Sequence, residues 1–280
     1  MQDLPKDMRA TLAQKEHRLG DKDHNLEVIR QTAGSVDTDL LIFPEMFLTG
    51  YSLGDSVWYE AEEIPGPSSS EISRLAVENE MNIIVGMPEK VKNEGRLRNT
   101  ALLATPEGEL NVYRKTYLPN FGPFQDKRYF HADDEIPVFE TPIGKVGMLI
   151  CYDVFFPELT KAMAQKGAEM IVVISASPST TRKYFERVLP ARAIETTSYI
   201  FYNNLVAREE SMYFWGGAST ISPKGTILKK GMYFEEEIMT TEIDLGAITG
   251  ARRGRPALDD TRKELLLDLE QSGRDKDLVS

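Results

Sequence analysis

Short apolar runs recur along this chain, each separated from the next by a helical stretch or a Pro/Gly turn. Asp39–Phe43 (DLLIF), Asn82–Val85 (NIIV), Val146–Ile150 (VGMLI) and Met170–Ile174 (MIVVI) have strand length and are apolar on both faces, the pattern of strands covered on both sides. Arg9–Ala13, Leu110–Arg114 and Tyr199–Leu205 read as further strands. Amphipathic stretches lie between them. Asp23–Ala33 places Leu26, Ile29 and Ala33 on one face, and Ser70–Asn79 does the same with Ile72, Leu75 and Ala76. Pro157–Gln165 opens on a proline and is followed by Gly167, a helix with a start and a stop. Phe185–Thr196 reads as a helix, with Pro190 a candidate break. Strands alternating with helices predict an α/β fold.

Three turns modify that picture. Thr105-Pro106-Glu107-Gly108, Thr141-Pro142-Ile143-Gly144 and Ser222-Pro223-Lys224-Gly225 each carry Pro second and Gly fourth, which suits a type I turn. They predict hairpins, so the sheets are expected to be mixed. After Gly250 the composition turns polar; Asp259–Glu270 is a candidate helix and Gln271–Ser280 a frayed tail. With no repeat or linker, residues 1–270 are expected to form a single domain.

Lys and Arg total 33 against 44 Asp and Glu, a formal charge of −11. That balance argues against nucleic acid or an anionic membrane surface as a partner. No apolar run approaches a membrane span, and Met1–Arg9 lacks the core of a secretory signal, so a cytoplasmic location is expected. Cys151 is the one cysteine, and His17, His24 and His131 are the three histidines. A cysteine-based zinc site is excluded and no metal is expected.

Three reactive side chains share a context: Glu45 follows LLIF-Pro, Lys115 follows LNVYR and Cys151 follows VGMLI. Each sits just past the C-terminal end of a predicted strand, where α/β folds bind ligands. Taken singly, Cys151 would be a small buried hydrophobe, Glu45 an exposed loop acid and Lys115 a solvated amine. The surrounding residues change that reading. Phe43 to Tyr51 reads FPEMFLTGY, Tyr113 to Phe124 reads YRKTYLPNFGPF, and Cys151 to Glu158 reads CYDVFFPE. With Gly20-Asp21, Asn25, Asn99-Thr100-Ala101 and Arg192-Ala193-Ile194-Glu195, these segments resemble the nitrilase superfamily of carbon–nitrogen hydrolases, over about Arg9 to Arg262.

The resemblance implies a four-layer α-β-β-α sandwich, usually a homodimer or larger assembly, working without cofactor. It implies a triad in which Cys151 attacks an amide, carbamoyl or nitrile carbon, Glu45 is the general base and Lys115 stabilises charge. The Tyr152 N–H is then the second oxyanion donor. The scarcity of histidine agrees with a carboxylate base, since no histidine sits at a predicted strand end.

Many relatives carry a second glutamate after the lysine. Here Asp126 stands at that place, one methylene shorter, so its carboxylate is expected to fall short or to act through water. The alternatives are a solvated loop acid, or Gln125 as substitute. By the same resemblance Tyr51, Phe121, Phe124 and Ser177 line the substrate pocket, and Arg182 or Lys183 pairs with a substrate carboxylate. The stretch FQDKRYF and Ser175-Ala176-Ser177-Pro178 are similar to the glutaminase domain of NAD synthetases. The length of the chain and the lack of a Gly-rich phosphate loop favour a stand-alone amidase instead, as does Tyr152 after the nucleophile. The expected reaction is hydrolysis of a small amide or carbamoyl compound through a cysteine thioester. The alternatives are a glutaminase subunit supplying ammonia, a nitrilase, or a catalytically silent binding protein.

Overall fold

In the strand Leu40–Ile42, alternate residues face opposite ways: Leu40 and Ile42 join one apolar core while Leu41 joins another. The same division separates Ala101 and Leu103 from Leu102 and Ala104. A sheet with two buried faces needs cover on both, and that requirement builds the layers. The computed structural model describes residues 7–92 and 95–262.

The elements in order are β1 (Asp7–Gln14), α1 (Lys22–Ala33), β2 (Leu40–Ile42), α2 (Val57–Glu60), α3 (Pro67–Glu78), β3 (Asn82–Glu89), β4 (Arg98–Ala104), β5 (Leu110–Arg114), α4 (Asp126–Tyr129), β6 (Val138–Thr141) and β7 (Gly144–Ile150). There follow α5 (Pro157–Gln165), β8 (Met170–Ser175), α6 (Arg182–Thr196), β9 (Tyr199–Asn204), β10 (Val206–Glu209), β11 (Met212–Trp215), β12 (Ser219–Ile221), β13 (Ile227–Lys230), β14 (Glu237–Asp244) and α7 (Gly246–Gly254).

Two six-stranded sheets form, in the orders β14-β1-β2-β3-β4-β5 and β13-β12-β9-β8-β7-β6. Both are mixed: β1, β2 and β3 pair parallel, as do β7, β8 and β9, and the outer strands pair antiparallel. Ile29 and Ala33 of α1 and Ile72, Leu75 and Ala76 of α3 pack on the first sheet. Leu159 and Met163 of α5 and Phe185, Leu189 and Ala193 of α6 join the core that the second sheet shares with the first. This is the four-layer sandwich.

The three Pro/Gly turns join β4 to β5, β6 to β7 and β12 to β13, as hairpins. Gly108 closes the first of them at φ +85°, a conformation that costs glycine little. Other boundaries differ from expectation. The third strand runs on to Glu89, because β4 pairs with it in register through Pro88 and Glu89 after the parallel pairing with β2 has ended at Ile84. Pro190 does not divide α6, which is continuous from Arg182. Arg192 ties that helix down by donating from Nε to the Val154 carbonyl at 2.9 Å. Residues 259–262 form no helix; the rest of the expected C-terminal helix and the expected frayed tail lie outside the described residues. No helix among the described residues is long and apolar enough to cross a membrane.

Candidate active site

Glu45 lies three residues past the end of β2, Lys115 directly after β5, and Cys151 directly after β7. The parallel core strands end on one side of the sandwich, so these residues, far apart in sequence, converge there. Two of the turns concerned are strained. Cys151 has φ +51° and Met46, beside Glu45, has φ +54°, a region that costs a non-glycine residue about 1 kcal/mol or more. Cys151 opens a 3-10 turn over Cys151–Phe155. The first amides of such a turn have no partner within it.

Lys115 Nζ donates to Glu45 Oε1 and to Asp126 Oδ2, each at 2.8 Å. All three side chains are at most 2% exposed. The shorter Asp126 therefore reaches Lys115 directly, with no shortfall and no intervening water. The helical turn α4, in which Asp126 N donates to the Pro119 carbonyl, brings the carboxylate close enough. Its other oxygen accepts the hydroxyl proton of Tyr51. Gln125 makes no contact with Lys115 that competes with this pair; it lines a neighbouring cavity.

Glu45 is held from three directions. Besides Lys115, Asn99 Nδ2 donates to Oε1 at 2.8 Å and the Ala176 N–H donates to Oε2 at 2.6 Å. Gly86 lets this loop lie close: a Cβ there would sit 2.4 Å from Met46 N and 2.5 Å from Glu45 Cα. Asn99 and Ala176 belong to segments the sequence singles out, yet their roles as donors to Glu45 were not read from it. Both contacts join segments far apart in sequence, 54 and 131 residues from Glu45.

The electrostatics follow from burial. Burial presses the Lys115 ammonium down, but Asp126 and Glu45 outweigh it and hold its pKa well above the ordinary value. Burial and the Glu45 charge push the Cys151 thiol upward, opposed by Lys115 and the Ser175 hydroxyl. At rest the residue is a thiol, beside a fixed carboxylate and a permanent cation. Burial also raises Asp153, to about 7, though Lys115, the Tyr117 N–H and the Tyr113 hydroxyl act against it.

Cys151 opens into a cavity of ≈ 300 Å3 whose walls include Phe121, Phe124, Tyr152 and Ser177. Three residues expected at the pocket lie elsewhere. Tyr51 is not on this wall: its hydroxyl is committed to Asp126, and its ring packs edge-on against Phe124 at 6.3 Å. The Arg182 guanidinium lies over the Tyr233 ring, 4.7 Å from its centre, a cation–π contact, and does not line the cavity. Lys183 does not line the cavity either.

One buried pair was missed altogether. His17 Nε2 meets a Glu209 carboxylate oxygen. The same carboxylate accepts the N–H groups of Tyr51 and Ser52, the latter at 2.6 Å. It thus fixes the loop that carries the Asp126 partner. Nothing local in the sequence marks a pairing across 192 residues.

The family model for carbon–nitrogen hydrolases matches residues 9–253. The chain is 34% identical over 270 residues to a hydrolase of the pqqF 5′ region from Pseudomonas protegens, covering 95% of this chain and 93% of that one. It is 32% identical to an (R)-stereoselective amidase from a Pseudomonas species, over 95% of this chain and 94% of that one. The solved structure of an amidase from a Nesterenkonia species superimposes with a TM-score of 0.81 at 27% identity, covering 94% and 96% of the two chains. By sequence, fold and converging strand ends, this chain belongs to the carbon–nitrogen hydrolases of the nitrilase superfamily.

Proposed function

We propose that Cys151, Glu45 and Lys115 hydrolyse a small amide through a thioester, with Asp126 holding the lysine in place. The chain is an amidohydrolase of its superfamily; the residue roles rest on one observation above all. A buried ammonium is clamped at 2.8 Å by two carboxylates beside a buried thiol.

Because the resting thiol is neutral, its proton must leave as the sulfur attacks. Glu45 takes it while Sγ bonds to the amide carbonyl carbon. The carbonyl oxygen becomes an oxyanion, stabilised by Lys115 Nζ and the Tyr152 N–H. Glu45 then returns the proton to the leaving nitrogen, the C–N bond breaks, and ammonia or an amine departs. Glu45 next deprotonates a water that attacks the thioester. Collapse of the second intermediate releases the acid and restores the thiol. Lys115 stays cationic throughout, since Asp126 and Glu45 hold its pKa well above the ordinary lysine value. In the same reading the enzyme works in the cytoplasm, without cofactor, as a homodimer or larger assembly. The single cysteine, free of any disulfide partner, supports the location, and light scattering tests the assembly.

Mass spectrometry of the intact protein quenched during turnover of an amide pool tests the chemistry. An adduct of the acyl mass on wild type, absent from Cys151→Ala, is expected together with ammonia release. Equal ammonia release by both proteins would overturn the assignment.

A further inference from the structure

The cavity that holds the Cys151 thiol carries no charged side chain on its wall. Pro119, Phe121, Phe124, Tyr152, Phe155 and Phe185 supply most of it. The two small hydroxyls present are already engaged: Ser177 Oγ bonds Thr181 Oγ1, which in turn donates to the Pro178 carbonyl at 2.8 Å. Trp215 Nε1 also lies 3.4 Å from Ser177 Oγ. The cation best placed in sequence to enter, Arg182, stacks on Tyr233 instead, and Lys230 approaches the same ring at 4.9 Å. Arg96, Lys127 and His131 line a second cavity, which shares Pro119, Phe121 and Tyr152 with the first but not the thiol.

We infer that this cavity receives the acyl half of the substrate and selects an apolar one, an aryl or branched-alkyl carboxamide, over amides whose acyl chain ends in a carboxylate or carries an ammonium group. The inference rests on Cys151 as the nucleophile. A charged terminus would exchange water for aromatic carbon with no counter-ion, an unfavourable transfer. An apolar group gains by the same transfer. The size fits: a cavity of about 150 Å3 lined by apolar side chains suffices for a benzene ring, and this one offers ≈ 300 Å3. The aromatic wall also offers edge-on contacts to a planar ring, as Phe121, Phe124 and Tyr152 already make with one another.

Phenylacetamide, isobutyramide, glutaramate and glutamine separate the cases. Wild-type kcat/KM for phenylacetamide is expected about 100-fold above that for glutaramate, the factor conferred by burying one large apolar side chain. Turnover of glutaramate or glutamine at or above that of phenylacetamide overturns the inference and leaves the catalytic assignment standing. Binding to Cys151→Ala protein, measured by calorimetry, reads the cavity without the chemistry. Phenylacetamide binding there without glutaramate binding supports the inference, and glutaramate binding as tight as phenylacetamide overturns it; equal ammonia release by wild type and Cys151→Ala sinks the catalytic assignment instead. Tyr184, 59% exposed on the cavity rim, provides the converse variant. Tyr184→Arg should cut the phenylacetamide-to-glutaramate ratio at least 10-fold, and an unchanged ratio counts against the inference.

Discussion

Asp126→Asn isolates one of the two carboxylate contacts that hold Lys115. At 2.8 Å and an effective dielectric constant of about 20, the Lys115–Asp126 attraction is roughly 6 kcal/mol before desolvation is set against it. Breaking a buried pair outright typically costs about 3–5 kcal/mol. Here Lys115 keeps Glu45 and the asparagine oxygen still accepts from Tyr51, so the loss should lie nearer the value of one charge-assisted hydrogen bond, about 1.5–3 kcal/mol. At about 2–4 °C per kcal/mol, the melting temperature should fall by roughly 3–12 °C. The kinetic effect should exceed the structural one. An ammonium released from one carboxylate is no longer fixed toward the oxyanion, and losing such a donor lowers kcat by about 100- to 1000-fold. The Asp126 charge also raises the Cys151 pKa, so alkylation of the thiol by iodoacetamide should begin at lower pH in the variant. Asp126→Glu, which keeps the charge but adds a methylene to a contact already at hydrogen-bond length, should recover part of the rate. Steady-state kinetics, thermal melts and alkylation rates against pH are the assays. If Asp126→Asn retains kcat within about threefold, Asp126 does not position the lysine and the reasoning fails.

Glu45→Gln should lower kcat by about 100- to 10,000-fold while the protein stays folded, since the amide oxygen can still accept from Lys115 and Asn99; near-wild-type turnover would exclude Glu45 as the base. Gly86→Ala should push the Glu45 loop aside, because the new Cβ meets backbone atoms of Pro44, Glu45 and Met46 at 2.4–2.6 Å; a loss of at least 10-fold in kcat with a lower melting temperature is expected, and unchanged kinetics would show the loop does not depend on that approach. Glu209→Gln tests the His17 pair through pH. Burial pushes the Glu209 pKa up, but its hydrogen bond and charge pairing with His17 outweigh this and leave it below 4.5. A depressed carboxylate adds stability that is fully present above its unfolded value and lost as pH falls through its folded one. The melting difference between wild type and Glu209→Gln should therefore be full above about pH 5 and shrink in more acid solution; a difference independent of pH would refute the pairing.

Much of this was legible from the chain alone. The runs DLLIF, VGMLI and MIVVI have strand length and two apolar faces, so a layered α/β fold followed from local pattern. Glu45, Lys115 and Cys151 could be singled out because each lies just past the end of a strand-length run, and a strand end is a local feature. Pairing at long range was not legible. β14 completes the first sheet beside β1 across more than 220 residues, and its mixed burial pattern carries no clean alternation to announce it.

The sequence by itself determined which residues stand at the strand ends and that no histidine stands among them. The tertiary structure alone decided what those residues touch. It brought Asp126 within 2.8 Å of Lys115 despite the shorter side chain, committed the Tyr51 hydroxyl to Asp126, and laid Arg182 on Tyr233, while the residues lining the cavity carry no charge. Periodicity reports which face of an element a side chain takes. Distances between residues on different elements are set by how two sheets and their loops pack, and no local pattern encodes them.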